Sequence, residues 1–407
     1  MKKIGRYCIV FAGLIAGYLL FGTAATLLPN EPIRHHARQT IDKTDLQADF
    51  WFAFLCKPQY FMDNFTDALI LNQACSGGRN SLLTSLLLVP RLHTGGEECA
   101  ALRAAANGDT EAPRLHYGRY WHGSTFLMRF MLTADDYVGL RMFFYVLSSM
   151  LLLWTLLALA RKSGAWASAA FLIGLTLANV FMMQHSIQFV PVLLIALATT
   201  LWVLYRVRRP EQLCMTLFVA GSLTSYFDLL TCPLLTWGLP MAAYLMQHRA
   251  DTFARGLRCW GHGSALWAAG YGATWAAKWG IATLLTGENV IRDGASQFMV
   301  RAAAGSDFTR WDALTRNTGC IAWFYIVIAL AVLAVLAARH FNRNGLPTAA
   351  LLLMTAAGPC LWYMATADHS YLHYWFTYRT LAATVIALLG AVGVLVDWGK
   401  VLNVKIE

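Results

Sequence analysis

The sequence predicts an all-α polytopic membrane protein of about ten transmembrane helices, with both termini in the cytoplasm and a large first extracytoplasmic loop carrying juxtamembrane helices. Three observations predict it. Of 407 residues, 57% are hydrophobic and only 13% charged, against about 25% charge in soluble domains. The apolar residues form long blocks, and a bilayer core about 30 Å thick needs about 20 of them per helical span. The cations gather in alternate connecting segments, as the positive-inside rule requires.

The expected spans are 4–28, 137–160, 165–183, 188–205, 213–226, 231–247, 264–286, 321–338, 347–367 and 380–396. The first follows "MKK" and reads as an uncleaved anchor rather than a cleaved signal peptide, because its apolar run is longer than a signal peptide needs. The fifth and sixth are short and read alternatively as one helix pair broken around Asp228. With the N-terminus inside, the inner segments hold 15 of the 32 basic residues, from Lys2 to Lys405, against four acidic ones. The net charge of +10 is therefore mostly a topology signal, and a nucleic-acid partner is not needed to explain it.

The whole chain, 1–407, reads as one transmembrane domain. Three outer segments are long: 29–136, 287–320 and 368–379. The first is too long for a plain linker. It contains the helix-like run "YFMDNFTDALILNQA" and an apolar patch, "SLLTSLLLVPRL", too short to span and expected to pack on the bundle or lie in the interface. Active chemistry is expected where these segments converge. Cys75 and Cys99 flank a polar stretch of the first, which leaves a disulfide open there in an oxidising compartment. No CxxC or zinc-type spacing occurs among the nine cysteines.

Five constellations carry candidate chemistry. In "YFMDNFTDALILN", Asp63 and Asp67 are four apart and would share a helix face. They could hold a divalent cation, Mg or Mn, through oxygen ligands, or one could serve as general base towards a hydroxyl; the bland alternative is solvation or a cap. In "HYGRYWHGSTF", Arg119, Trp121 and His122 combine a planar cation with rings that stack on sugar faces, or form an interfacial aromatic belt. In "SYFDLLTCPLLTWGLP", Asp228 lies between apolar runs, where a carboxylate is costly unless paired or wet. In "AAKWGIATLLTGENVIRDG", Lys278 is embedded in an apolar run and Arg292 opens the second outer segment; Lys278 either snorkels or holds an anionic headgroup. Arg301, Arg310 and Arg316 further along read as solvated loop cations.

The fifth constellation is "ADHSYLHYWFTYRTL". His369 and His373 are also four apart, but the HExxH glutamate is missing and no third ligand is evident, so no metal site is assigned. Arg379 at the head of the last span suits a lipid phosphate, with His369 and His373 as hydrogen-bonding groups and rings such as Tyr378 as platforms. The alternative is an aromatic belt with one snorkelling cation.

Together these features resemble the GT-C superfamily of integral membrane glycosyltransferases: many spans, a large first outer loop with juxtamembrane helices, and an acidic residue in that loop. "MDNFTD" occupies the place of the family's acidic signature, although it is not the adjacent acidic pair of some members, so Asp63 and Asp67 both remain open. "RYWHG", "SYFDLLTCP", "KWGIATLLTG" and "HSYLHYWFTYR" are similar to strings in poorly characterised bacterial membrane proteins assumed to serve cell-surface polysaccharides. The resemblance implies transfer of a sugar from a polyprenyl-phosphate donor to a glycan, lipid or protein acceptor at the outer face of a bacterial inner membrane. It implies donor-phosphate binding by Lys278, Arg292 and Arg379 with His369 and His373 nearby, a base among Asp63, Asp67 and Asp228, and sugar or acceptor contacts from Arg119, Trp121, His122, Asp228 and Tyr378. Two other classes fit parts of the pattern. A transporter or flippase of lipid-linked sugars would use the buried Asp228 and Lys278, although the inverted repeats common in transporters are not visible. A membrane acyl- or phosphotransferase would centre on the histidine pair.

Overall fold

The computed structural model describes residues 2–43, 46, 48, 50–52, 61–77 and 81–402; Tyr60 and Lys405 of the stretches above lie outside them. The chain is about 78% helical. Among the described residues the strands form two short antiparallel ribbons, Phe50–Phe52 with Phe61–Asp63 and Arg91–Leu92 with Arg114–Leu115.

A helix lies on each of the ten predicted segments. Among the described residues, four are long and apolar enough to cross a membrane: Ile4–Thr26, Tyr137–Lys162, Arg343–Ala365 and Tyr374–Gly393. A fifth is added if Arg310–Thr318 and Trp323–Arg339, bent by 76° at their junction, count as one broken span. The remainder are shorter or less apolar than these. The third predicted span ends as helix Ala165–Leu177 and restarts at Val180–His185, because Asn179 takes a left-handed conformation at φ +58° between them. Leu235–Gln247 has 13 residues, which at 1.5 Å per residue reaches about two-thirds of the bilayer core.

The apolar faces point outward as well as inward. Helix Trp323–Arg339 buries only Ile326 and Ala337, leaving Phe324, Val327, Val332 and Val335 exposed. Helix Tyr137–Lys162 likewise exposes Met142, Phe143, Met150 and Trp154. Faces of this extent need lipid rather than water. Inside the bundle, Pro210–Phe227 and Phe253–Thr286 touch backbone to backbone. A Cβ on Gly221 would lie 2.2 Å from the Trp267 carbonyl oxygen, and one on Gly270 would lie 2.1 Å from that of Phe218. Small residues at membrane-helix crossings allow this approach.

The first outer segment folds into its own helical layer. Asn30–Lys43, Asn64–Ser76, Glu98–Asn107 and Gly123–Met131 bury Ile33, Ile70, Leu71, Leu102 and Met128 together, and close on Tyr137 and Phe144 of the next helix. Arg129 fastens this layer to the end of the first span. Its guanidinium donates to the carbonyls of Ala25 at 2.8 Å and Leu28 at 2.9 Å, to Asn30 Oδ1 at 3.0 Å, and to the Ala74 carbonyl. The apolar patch becomes helix Leu82–Leu87, packed against the first span and Phe253–Thr286. Cys75 is a free, buried thiol, so no Cys75–Cys99 disulfide forms.

Candidate functional site

The three outer segments converge on one cavity of about 400 Å³. The first contributes Asp63, Thr66, Tyr117 and Tyr120, the second Arg301, and the third His369, His373 and Trp375. Gln188 and Leu229 reach it from the loops before helices Val190–Arg206 and Leu235–Gln247.

Asp63 is not on the helix that follows it. Helix Asn64–Ser76 starts one residue later, and Asp63 is its N-cap, accepting the Thr66 N–H at 3.2 Å. An Asp at this place satisfies a backbone donor that the helix cannot. The shared helical face expected for Asp63 and Asp67 is therefore absent. Asp63 lines the cavity. Burial pushes its carboxyl up to about 6, against the pull of Thr66 and of the side chains of Trp375 and Gln188.

Asp67 turns the other way and does not line the cavity. It is fully buried and accepts from Tyr137 Oη at 2.5 Å, Ser186 Oγ at 2.8 Å and Gln188 N at 3.2 Å, with the Arg141 guanidinium at 3.5 Å. These contacts tie helix Tyr137–Lys162 to the 186–188 loop, which carries Gln188 to the cavity. Removing one partner of a buried charged pair costs about 3–5 kcal/mol. Asp67→Ala is therefore expected to lower the melting temperature in detergent strongly, while turnover per folded molecule stays within a few-fold of wild type. A folded Asp67→Ala protein without activity would return Asp67 to the chemistry.

The third segment breaks its helix between the histidines: Ala367–Leu372 ends and His373 caps it, donating its N–H to the His369 carbonyl at 3.0 Å. The two rings are 4.9 Å apart, and His373 stacks on Phe376 at 5.2 Å. Burial holds both below the usual imidazole range, His369 well below it and His373 at about 4, with Arg301 adding to the effect. Both are neutral at neutral pH.

The other expected residues take up different positions. Asp228 caps helix Pro210–Phe227 and accepts the Thr231 N–H at 3.0 Å and the Thr231 hydroxyl. Burial raises its carboxyl to about 6. Lys278 is fully buried, donates to the Leu87 carbonyl at 2.8 Å and sits 5.4 Å from the Trp121 ring centroid, pinning helix Leu82–Leu87. Trp121 donates to the Thr274 carbonyl at 2.7 Å in the same core. Arg379 is 1% exposed; it donates to the Trp375 carbonyl at 2.8 Å and packs on the rings of Phe189 and Tyr378, the latter also buried. Arg119 lies 4.2 Å from the Tyr117 ring centroid and 3.4 Å from Asp293. His122 is buried at φ +60° and donates Nε2–H to the Tyr117 carbonyl at 2.7 Å. Arg292 is exposed on helix Val290–Ala302. None of these residues lines the cavity. Among the described residues, no group of three or more His, Cys, Asp or Glu could hold a metal ion.

Arg301 and Gln188 are among the cavity residues that sequence reasoning missed. Arg301 sits in the last turn of Val290–Ala302, 5.7 Å from the Tyr120 ring centroid. Among the described residues it makes no ion pair or hydrogen bond. It also lines a second space, an apolar groove of about 350 Å³ with walls from Tyr271, Trp275, Trp279, Phe298 and Trp362. The turn at Asp228 separates the two spaces, with Leu229 in the cavity wall and Leu230 in the groove wall.

No protein-family model, curated protein or solved structure matches the chain.

Proposed function

We propose that the protein is a membrane glycosyltransferase that moves a sugar from a polyprenyl-phosphate donor to a glycan, glycolipid or protein acceptor on the outer face of a bacterial inner membrane. The observation that carries this reading is Arg301. Its guanidinium, unpaired among the described residues, stands where a cavity containing a carboxylate and two imidazoles meets an apolar, ring-lined groove. A lipid-linked sugar has the same order of parts: an apolar chain, a phosphate and a hydroxylated ring.

The chain of the donor lies in the groove, its phosphate against Arg301 and its sugar among Tyr117, Tyr120, His369, His373 and Trp375. Arg grips phosphate with a planar fork. The acceptor hydroxyl gives its proton to Asp63 as its oxygen bonds the anomeric carbon. The bond from that carbon to the phosphate oxygen breaks, and its electron pair leaves with the polyprenyl phosphate. Charge then grows beside Arg301, where a fixed cation stabilises the transition state most. Phosphate binding in this reading falls to Arg301 rather than to Lys278 and Arg379, each of which is buried and donates to a backbone carbonyl.

The test is transfer of labelled sugar from a panel of polyprenyl-phosphate donors by purified protein in vesicles. Movement of intact donor between leaflets without transfer would replace this reading with a flippase.

The reading includes ten spans with both ends inside. Single cysteines in a cysteine-free background test it at exposed positions. Glu97→Cys and Arg292→Cys are expected to label from the periplasm, and Arg208→Cys and Arg343→Cys from the cytoplasm. Labelling of Glu97→Cys from the cytoplasm alone would invert the site.

A further inference from the structure

Asp228 is buried beside the cavity yet does not line it, and Leu230, two residues on, holds a conformation that β-carbon sterics disfavour. Its φ is +69°, in the left-handed region that a leucine seldom occupies. The strain is held by the turn before it. Asp228 accepts the Thr231 N–H through both carboxylate oxygens, at 3.0 and 3.2 Å, and the Thr231 hydroxyl as well. This closes a side-chain-to-backbone turn around Leu229 and Leu230. The reversal turns the Leu230 carbonyl towards the third outer segment, where it meets His369 Nε2 at 2.7 Å.

A carbonyl oxygen only accepts, so Nε2 carries the proton. In a neutral imidazole the other nitrogen is then an acceptor. His369 Nδ1 is buried and has no partner among the described residues, in a residue that lines the cavity. A buried acceptor left unmatched is unfavourable, and the cavity's occupant is what could match it. Among the described residues, Nδ1 of His373 beside it also has no partner.

We propose that the Asp228 turn is a positioning device: it presents the Leu230 carbonyl to His369 Nε2–H, which leaves His369 Nδ1 as a fixed acceptor for a hydroxyl group of a pyranose bound in the cavity. Asp228 is thus a positioning residue, and its ability to accept hydrogen bonds matters where its charge does not. The turn needs an acceptor at this position, which Asn supplies as well as Asp. The pyranose part rests on the glycosyl-transfer reading; the tautomer part does not.

The experiment uses full-length protein in nanodiscs made without glycolipid, labelled with ¹⁵N-histidine and ¹⁵N-tryptophan. His369 is assigned by its loss in His369→Gln, and the Trp375 indole by its loss in Trp375→Phe. Without ligand, His369 is expected to show a single Nε2–H tautomer in the wild type and in Asp228→Asn, and a mixture of tautomers in Asp228→Ala. An unchanged His369 signal in Asp228→Ala, or loss of the wild-type pattern in Asp228→Asn, would overturn the positioning role. If Asp228→Ala does not fold, Thr231→Val removes one of the donors that close the turn. It should give the same change in smaller measure, and an unaltered signal there would overturn the role equally. Methyl glycosides of glucose, galactose and mannose are then added in turn. The expected result is that at least one moves both the Trp375 indole resonance and the His369 Nδ1 resonance, the latter upfield. A Trp375 response with a stationary His369 would overturn the acceptor assignment alone. No response of either resonance to any glycoside would remove the sugar reading of the cavity, and the hydroxyl partner of His369 with it.

Discussion

Replacing Asp63 by Asn is expected to lower turnover by roughly 10²–10⁴-fold, the usual contribution of a general base, without lowering the melting temperature at pH 7.5. The two halves of this prediction have separate causes. Asn keeps the oxygen that accepts the Thr66 N–H at 3.2 Å, and Asn is as good an N-cap as Asp. What it loses is a carboxylate that can take a proton. Burial raises this carboxyl from 3.8 to about 6 in the folded protein, so the folded state binds a proton more tightly than the unfolded state does. The stability associated with that proton is fully present below the unfolded value and is lost as pH rises through about 6. Above that pH the wild type carries a buried, incompletely compensated anion that the Asp63→Asn variant lacks. The variant should melt at or above the wild type at pH 7.5, with the difference shrinking as pH falls towards 4. In the wild type, donor-dependent kcat/KM should fall on the acid side of about pH 6. A pH profile flat from 5 to 8, or full activity in Asp63→Asn, would place the base elsewhere.

The convergence of the outer segments was legible in the sequence because it follows from span count and loop length, which depend on long apolar blocks. Asp63, His369 and His373 were legible as members of polar clusters next to those blocks. The division of labour between Asp63 and Asp67 was not. Four-residue spacing aligns two side chains only if both lie in the helix, and here the helix begins at Asn64 because Asp63 is spent on capping it. The partners of Asp67 are Tyr137, Arg141, Ser186 and Gln188, between 70 and 121 residues away in the chain, and no local pattern announces them. Lys278 and Arg379 were chosen for lying within apolar runs. That criterion selects any cation buried in the bundle, and a cation can reach that state by donating to a backbone carbonyl as well as by meeting a phosphate.

Fewer helices are long and apolar enough to cross a membrane than there are apolar runs, for a related reason. Hydropathy reads apolar length, not helix continuity. The 165–183 run is uncharged throughout, yet the helix breaks at Asn179, which no hydropathy average detects. Helices such as Leu235–Gln247 are apolar because other helices surround them, with every residue from Leu235 to Met246 buried. A helix wrapped by protein and a helix wrapped by lipid have the same composition.

Arg301 shows most plainly what packing adds, and its replacement should have the largest effect of any cation in the protein. In sequence it is one of four arginines in the 287–320 segment, with 292, 310 and 316, all chemically alike. Helix Val290–Ala302 packs against Ala367–Leu372, and Asp368 N–H donates to the Ala303 carbonyl at 3.0 Å; this contact brings Arg301 to the cavity and leaves Arg292 in solvent. A guanidinium about 4 Å from a developing phosphate charge contributes about 4 kcal/mol at an effective dielectric constant near 20. That agrees with the roughly 10²–10³-fold loss seen when a single preorganised donor to a transition-state anion is removed. Arg301→Ala is therefore expected to lower donor-dependent kcat/KM by roughly that factor. Arg301→Lys, which keeps the charge but not the two-pronged donor geometry, should fall between it and the wild type. Neither should change the melting temperature much, because Arg301 makes no ion pair or hydrogen bond in the folded chain among the described residues. Arg292→Ala serves as the control and should leave kcat/KM near wild type. Equal activity in wild type and Arg301→Lys would mean that charge alone matters at the junction of cavity and groove. Equal activity in wild type and Arg301→Ala would mean that no phosphate passes there, and the glycosyl-transfer reading would lose the observation it stands on.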